Sequence, residues 1–158
     1  MFDPAAVIRV LVEHDVDFIV VGGIAATLNG AIIATQDLDV LYALDAENVA
    51  RIMRALEALD ARFHQRPDLV PKRSHMESRG HKLLTTSHGR CDFLGHIGPD
   101  LGYADLLADS VELAATDDLR CRVLGLEKLI ETKLATGRPK DLATLPILRA
   151  TLAERDPK

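Results

Sequence analysis

The sequence predicts a mixed α+β domain: a small mixed β-sheet flanked by helices and closed by two C-terminal helices. Three observations predict it. Short β-rich runs near residues 17–21, 37–42 and 91–94 alternate with segments of helical apolar spacing. Residues 81–86 and 91–94 flank Ser87-His88-Gly89-Arg90, a hairpin signal, so part of the sheet is antiparallel. Leucines then recur at helical spacing on both sides of Gly137-Arg138-Pro139.

Taken in order, Asp3 caps a first helix with Pro4 at its first position, and Val7, Ile8, Leu11 and Val12 form its apolar face. A strand at residues 17–21 runs into Gly22-Gly23, and Ile24 to Leu28 start a short helix that ends near Asn29-Gly30. The strand at 37–42 places Leu38 and Val40 toward the core and Asp37 and Asp39 away from it. Asp45 caps a helix whose Val49, Ile52, Met53, Leu56 and Leu59 repeat at helical spacing. Residues 62–80, broken by Pro67 and Pro71, read as mobile loops. After the hairpin, residues 111–113 and 120–124 form a further strand pair joined through Thr116-Asp117-Asp118. Leu126, Leu129, Ile130 and Leu134 line the penultimate helix, which stops at Gly137; Pro139 opens the last, lined by Leu142, Leu145, Leu148 and Leu152.

The chain has 158 residues, 47% of them hydrophobic, which suits one domain over residues 1–158 with a real core and argues against disorder. No stretch approaches the ~20 apolar residues of a membrane helix. The start of the chain lacks the basic-then-apolar order of a secretory signal, so the expectation is a cytoplasmic protein without a membrane partner. Cys91 and Cys121 read as two reduced thiols outside any zinc-like spacing. A net charge of −5 argues against a protein that coats nucleic acid non-specifically. Charge is nevertheless uneven: Arg62, Arg66, Lys72, Arg73, Arg79 and Lys82 face only Asp68 and Glu77 in the same segment, which also holds His64, His75 and His81. A solvated loop or exposed hairpin explains that run; a flap guiding an anionic substrate is the functional alternative.

The chemistry concentrates in Thr35-Gln36-Asp37-Leu38-Asp39-Val40-Leu41. Aspartates two apart on a strand point the same way, roughly 6–7 Å apart along it. Aimed at one spot they repel, unless a hard divalent cation such as Mg²⁺ lies between them. The preceding strand, Gly-Gly turn and helix start offer backbone N–H groups and a positive dipole end to a phosphate. Asp92 lies in the second strand of the hairpin. Beside the Asp37/Asp39 strand it completes a set of three carboxylates, which suits two Mg²⁺ ions ~3.5–4 Å apart acting on phosphorus. Asp37 and Asp39 then hold both ions and the triphosphate, and Asp92 serves the ion beside the attacking hydroxyl and helps remove its proton. Lys133 borders the apolar stripe of its helix, as a snorkelling lysine does. Arg138 and Lys140 sit at a helix start, where the dipole disfavours cations and a bound phosphate offsets the conflict. Asp141 caps that first turn and can hold Lys140 or Arg138 in place.

Val20-Val21-Gly22-Gly23, Asn29-Gly30-Ala31, Thr35-Gln36-Asp37-Leu38-Asp39-Val40 and the later strand Asp92 resemble the nucleotidyltransferases of the DNA polymerase β-like superfamily. The run Gly137-Arg138-Pro139-Lys140-Asp141 resembles the AbiEii/AbiGii-type bacterial branch, whose members include toxins of toxin–antitoxin systems. The resemblance covers about residues 20–148, with the middle unmatched. It implies the nucleotidyltransferase fold, two Mg²⁺ ions, and transfer of a nucleoside monophosphate from an NTP donor to an acceptor, with loss of pyrophosphate. It further implies that Gly22 and Gly23 meet the phosphates, that Asp37, Asp39 and Asp92 hold metal, and that Lys133, Arg138 and Lys140 contact the triphosphate or nucleotide, with Asp141 in the same motif. A cognate antitoxin or toxin is the implied protein partner. The chain departs from the pattern at Ile33, where many relatives carry an arginine, and its shortness leaves no extra domain for a large acceptor such as tRNA.

Two functional readings stand beside each other at this stage. One is an active Mg²⁺-dependent enzyme modifying an RNA, a protein or a small molecule. The other is a catalytically weak or inactive nucleotide-binding or interaction module of the same fold, which Ile33 and the small size favour. A bare α/β domain with a solvated acidic pair is the third, and the combined motifs argue against it.

Overall fold

The computed structural model describes residues 1–155. Its spine is a seven-stranded mixed sheet. Helix α1 (Pro4–Glu13) begins as Asp3 accepts a hydrogen bond from the Ala6 N–H, and it buries Val7, Ile8 and Leu11. Strand β1 (Phe18–Val21) is buried throughout and passes directly into α2 (Gly22–Leu28), so the glycine pair forms the helix's first turn and does not precede it. Strand β2 (Asp37–Tyr42) returns antiparallel to β1. Asp45 caps α3 (Ala46–Ala58) through the Asn48 N–H, and Val49, Ile52, Ala55 and Leu56 face the core.

The segment expected to be loops contains two short elements, β3 (Arg62–Phe63) and α4 (Arg73–Glu77). Met76 is fully buried there, and its carbonyl accepts the Tyr42 hydroxyl, so the helix is tied to the core despite the prolines. The predicted hairpin forms as β4 (His81–Thr86) and β5 (Gly89–Leu94). The Asp3 N–H donates to the His88 carbonyl at its tip. After α5 (Tyr103–Leu106) come β6 (Ser110–Thr116) and β7 (Leu119–Leu124), the expected pair extended at its first strand, then α6 (Leu126–Thr136) and α7 (Pro139–Arg155).

The strand order is β3-β4-β5-β2-β1-β7-β6, with β2–β5 and β1–β7 parallel. One sheet face packs Val20, Val40, Tyr42, Phe93 and Leu84 into the core with α1 and α3. The other carries the two aspartates outward, as alternation requires. Two expected core positions are corrected. Leu134 and Leu142 are 49% and 45% exposed, because α6 and α7 seal the core through Leu126, Leu129, Leu145 and Leu148 and turn those two leucines outward. Cys91 and Cys121 are free thiols, buried on strands that two others separate. No helix among the described residues is long and apolar enough to cross a membrane.

Candidate active site

Parallel pairing of β2 with β5 sets Asp39 directly opposite Asp92. Paired residues share a face, so the hairpin delivers the third carboxylate to the side where Asp37 and Asp39 already point. One oxygen from each of the three lies within 4.8 Å of the others. All three sequence-predicted carboxylates therefore converge.

Their electrostatics are those of crowded acids. Burial first, then the charges of Asp37 and Asp92, push the Asp39 carboxyl up to about 7. Burial also lifts Asp92, which is 6% exposed, with Asp37 adding to the rise, while the Arg90 guanidinium works against it. Crowded, hard, anionic oxygens of this kind are what a Mg²⁺-class ion neutralises, so the donor set fits such an ion.

Gly22 joins this cluster by backbone necessity. Its φ is +70°, and a Cβ there would collide with the Asp39 carboxylate. Only glycine permits the chain to turn from β1 into α2 at that distance from the acid. Gly23 packs closely on Thr35, where a Cβ would stand 3.0 Å from the threonine side chain. The glycine pair thus leaves a stretch of bare backbone beside Asp39, at a helix start whose first N–H groups have no intrahelical partner.

The α6–α7 joint supplies the basic groups. Gly137, at φ +62°, ends α6 in the left-handed cap that glycine favours. Asp141, 5% exposed, then gathers three partners: the Arg138 Nε at 2.7 Å, the Thr136 hydroxyl at 2.8 Å and the Lys133 Nζ at 3.5 Å. Burial alone would raise Asp141, but these partners outweigh it and hold the carboxyl below its ordinary range. Of the two cations that the helix dipole left unexplained, Arg138 is therefore already compensated by Asp141, which also pairs with Lys133. Asp141 holds Arg138, as one expectation had it. Lys140 is exposed, and its positive charge is felt at Asp39, as is the negative charge of Asp39 at Arg138. The joint is thus within electrostatic reach of Asp39.

One site residue escaped the sequence reading. Arg90, counted only as part of the hairpin turn, donates from Nε to Asp92 Oδ1 at 3.3 Å. Its place two residues before Asp92 on a strand was the signal that could have found it. Ile33, where an arginine was noted as absent, packs partly buried against the core.

No family profile matches the chain and no curated protein does. A solved structure matches along its whole length: the crystal structure of "a putative nucleotidyltransferase" from Thermotoga maritima, with a TM-score of 0.59, covers 98% of this chain and 97% of that one at 20% identity. The two chains share one fold. The nucleotidyltransferase fold that the motifs resembled is the fold this chain adopts.

Proposed function

We propose that the protein is a divalent-metal-dependent nucleotidyltransferase that moves a nucleoside monophosphate from an NTP to an acceptor hydroxyl. The observation that carries this reading is the convergence of Asp37, Asp39 and Asp92 beside the bare backbone of Gly22. Asp37, Asp39 and Asp92 would hold one or two Mg²⁺ ions, which when bound neutralise charge on the triphosphate and acidify the attacking hydroxyl. The chain's own residues do the positioning. Gly22 and Gly23 present N–H groups to the phosphates, and Lys133, Arg138 and Lys140 draw the triphosphate toward the α6–α7 joint, held in place by Asp141. The acceptor oxygen forms a bond to the α-phosphorus as the bond to the bridging β-phosphate oxygen breaks, and pyrophosphate carries away the electron pair. Asp92, the carboxylate on the strand farthest from the glycines, takes the hydroxyl proton. Catalysis of this type is mostly alignment and charge neutralisation.

The whole chain acts as one domain in the cytoplasm. The Gly137-Arg138-Pro139-Lys140-Asp141 run supports the further reading of a toxin–antitoxin component of the AbiEii/AbiGii type. The second reading, a nucleotide-binding module without transfer, is favoured by Ile33 and by the engagement of Lys133 and Arg138 with Asp141. One experiment separates the two. The purified protein is incubated with each radiolabelled NTP, Mg²⁺ and candidate RNA, and transfer is read alongside pyrophosphate release. The enzyme reading expects label on RNA or protein, abolished by Asp37→Asn/Asp39→Asn. That variant should melt no lower than the wild type in EDTA, because it removes repulsion. Saturable NTP binding with no transfer would establish the module instead. For the toxin reading, expression of the wild type but not of the double variant should arrest growth.

A further inference from the structure

We propose that Arg90 receives a phosphate of the acceptor, next to the hydroxyl that attacks, and so selects acceptors that carry one. This rests on the transferase reading and assigns the acceptor side of the same site.

Topology divides the site in two. Gly22 and Gly23 follow β1, and the α6–α7 joint follows β7, so both lie to one side of β2 in the strand order. Asp92 stands on β5, to the other side. Beyond it only β4 and β3 remain, and their pairing extends the triad's face outward. Asp37 pairs with Arg90, Arg90 with Thr85 and Thr85 with Arg62, while Asp39 pairs with Asp92 and Asp92 with Leu83. Each row stays on one face. Thr85 and Leu83 are exposed, so this half of the face is open to an incoming molecule.

Arg90 is built for an anion there. Its side chain is 32% exposed and spends one donor, Nε, on Asp92. Among the described residues its two Nη groups have no hydrogen-bond partner. Once the three carboxylates share their charge with divalent cations, the half-buried guanidinium is left beside positive charge with its counter-ion diluted, which only another anion relieves. The donor's triphosphate belongs to the glycine side, so that anion comes with the acceptor. A guanidinium matches phosphate with two parallel N–H···O bonds. Of the basic 62–82 segment, Arg62 is placed by the strand register on this same face. Arg62, two strand spacings or about 10 Å further along the row, lies in line with Arg90. Its Asp60 partner is exposed, which makes that pair a weak competitor for a ligand.

Two probes test the assignment on the full chain with Mg²⁺: a 5′-fluorescein single-stranded RNA of about a dozen nucleotides with a free 3′ hydroxyl, read by anisotropy, and adenosine monophosphate, read by calorimetry. Binding of at least one probe is expected, weakened about tenfold or more in Arg90→Gln and by a smaller factor in Arg90→Lys, which keeps the charge but loses the fork. Losing one phosphate contact should also reduce the salt slope for RNA by about 0.7. Mn²⁺ uptake by the carboxylates should persist in both variants. RNA binding without monophosphate binding assigns the phosphate to a polymer; binding of both assigns it to the phosphate group itself. Wild-type affinity in Arg90→Gln, or in Arg90→Lys should the first fail to fold, overturns the proposal. Mn²⁺ uptake with neither probe bound overturns this inference alone, whereas a wild type that takes up no Mn²⁺ overturns the transferase reading with it.

Discussion

At the scale of single residues, the molecule carries an acid it cannot comfortably ionise. The Asp39 carboxyl stands at about 7 in the fold, against 3.8 for an ordinary aspartate. Between those values the folded protein holds a proton that the unfolded chain has released. Stability contributed by this group therefore falls as pH rises from about 4 to about 7, and stays low above it. Urea melts in EDTA should show that decline in the wild type and a flatter profile in Asp39→Asn, with a difference on the order of a few kcal/mol at pH 7.5. Added Mg²⁺ or Mn²⁺ should raise the melting temperature more at pH 7.5 than at pH 5, because protonated carboxyls compete with the ion. A wild type whose EDTA melts do not respond to pH over this window would contradict the crowding described for the triad.

At the scale of elements, the α6–α7 joint depends on one buried acceptor. Asp141→Ala leaves Lys133, 19% exposed at its side chain, without its carboxylate and removes the partner of Thr136 and Arg138. The expected cost is about 2 kcal/mol, read from denaturant melts, with amide exchange rising first in the opening turn of α7. Asp141→Asn should recover part of that loss, since it still accepts from Thr136. Much of this architecture was legible in the residues. The Asp3 and Asp45 caps, the β2 alternation, the hairpin and the Gly137 stop all follow from local rules that hold wherever the chain later folds. Asp141 was legible as a capping residue but not as a hub, because its three partners converge only when two helices pack. Residues 62–80 defeated local rules for a different reason. Their structure comes from tertiary ties such as Tyr42 to the Met76 carbonyl, and no periodicity announces it. Leu134 and Leu142 show the converse failure: helical spacing marks an apolar stripe, but the neighbour decides how far around the helix the seal extends. In the site, the three aspartates and the glycines were readable as a set, whereas Arg90 was masked by its place at a turn.

At the scale of the whole molecule, one buried group is out of keeping with its surroundings. Lys82, 4% exposed on the core face of β4, donates to the Ser78 carbonyl and lies with Nζ 5.0 Å from the Tyr42 ring centre. Burial brings its ammonium down to about 8 from 10.5. Between those values the unfolded chain binds more protons than the fold, so the stability contributed by this group rises with pH from about 8 to about 10.5. Lys82→Met should remove that rise and stabilise the protein at pH 7 by about 1–3 kcal/mol. Parallel denaturation series of the two proteins across this range test it; superimposable pH profiles would count against a strained lysine. The lysine also shows that the basic 62–82 segment is not one solvated strip, since its last member points inward while the others face water.

The parallel pairing of β2 with β5 has a consequence in time. Between Asp39 and Asp92 the chain must make α3, β3, α4 and β4 before the third carboxylate arrives. Closing so long an excursion is slow compared with forming a helix or a hairpin. A nascent chain on the ribosome that has emerged only as far as β4 therefore holds two of the three acids. The carboxylate set is completed only once the hairpin has been made, and the basic joint between α6 and α7 follows later still.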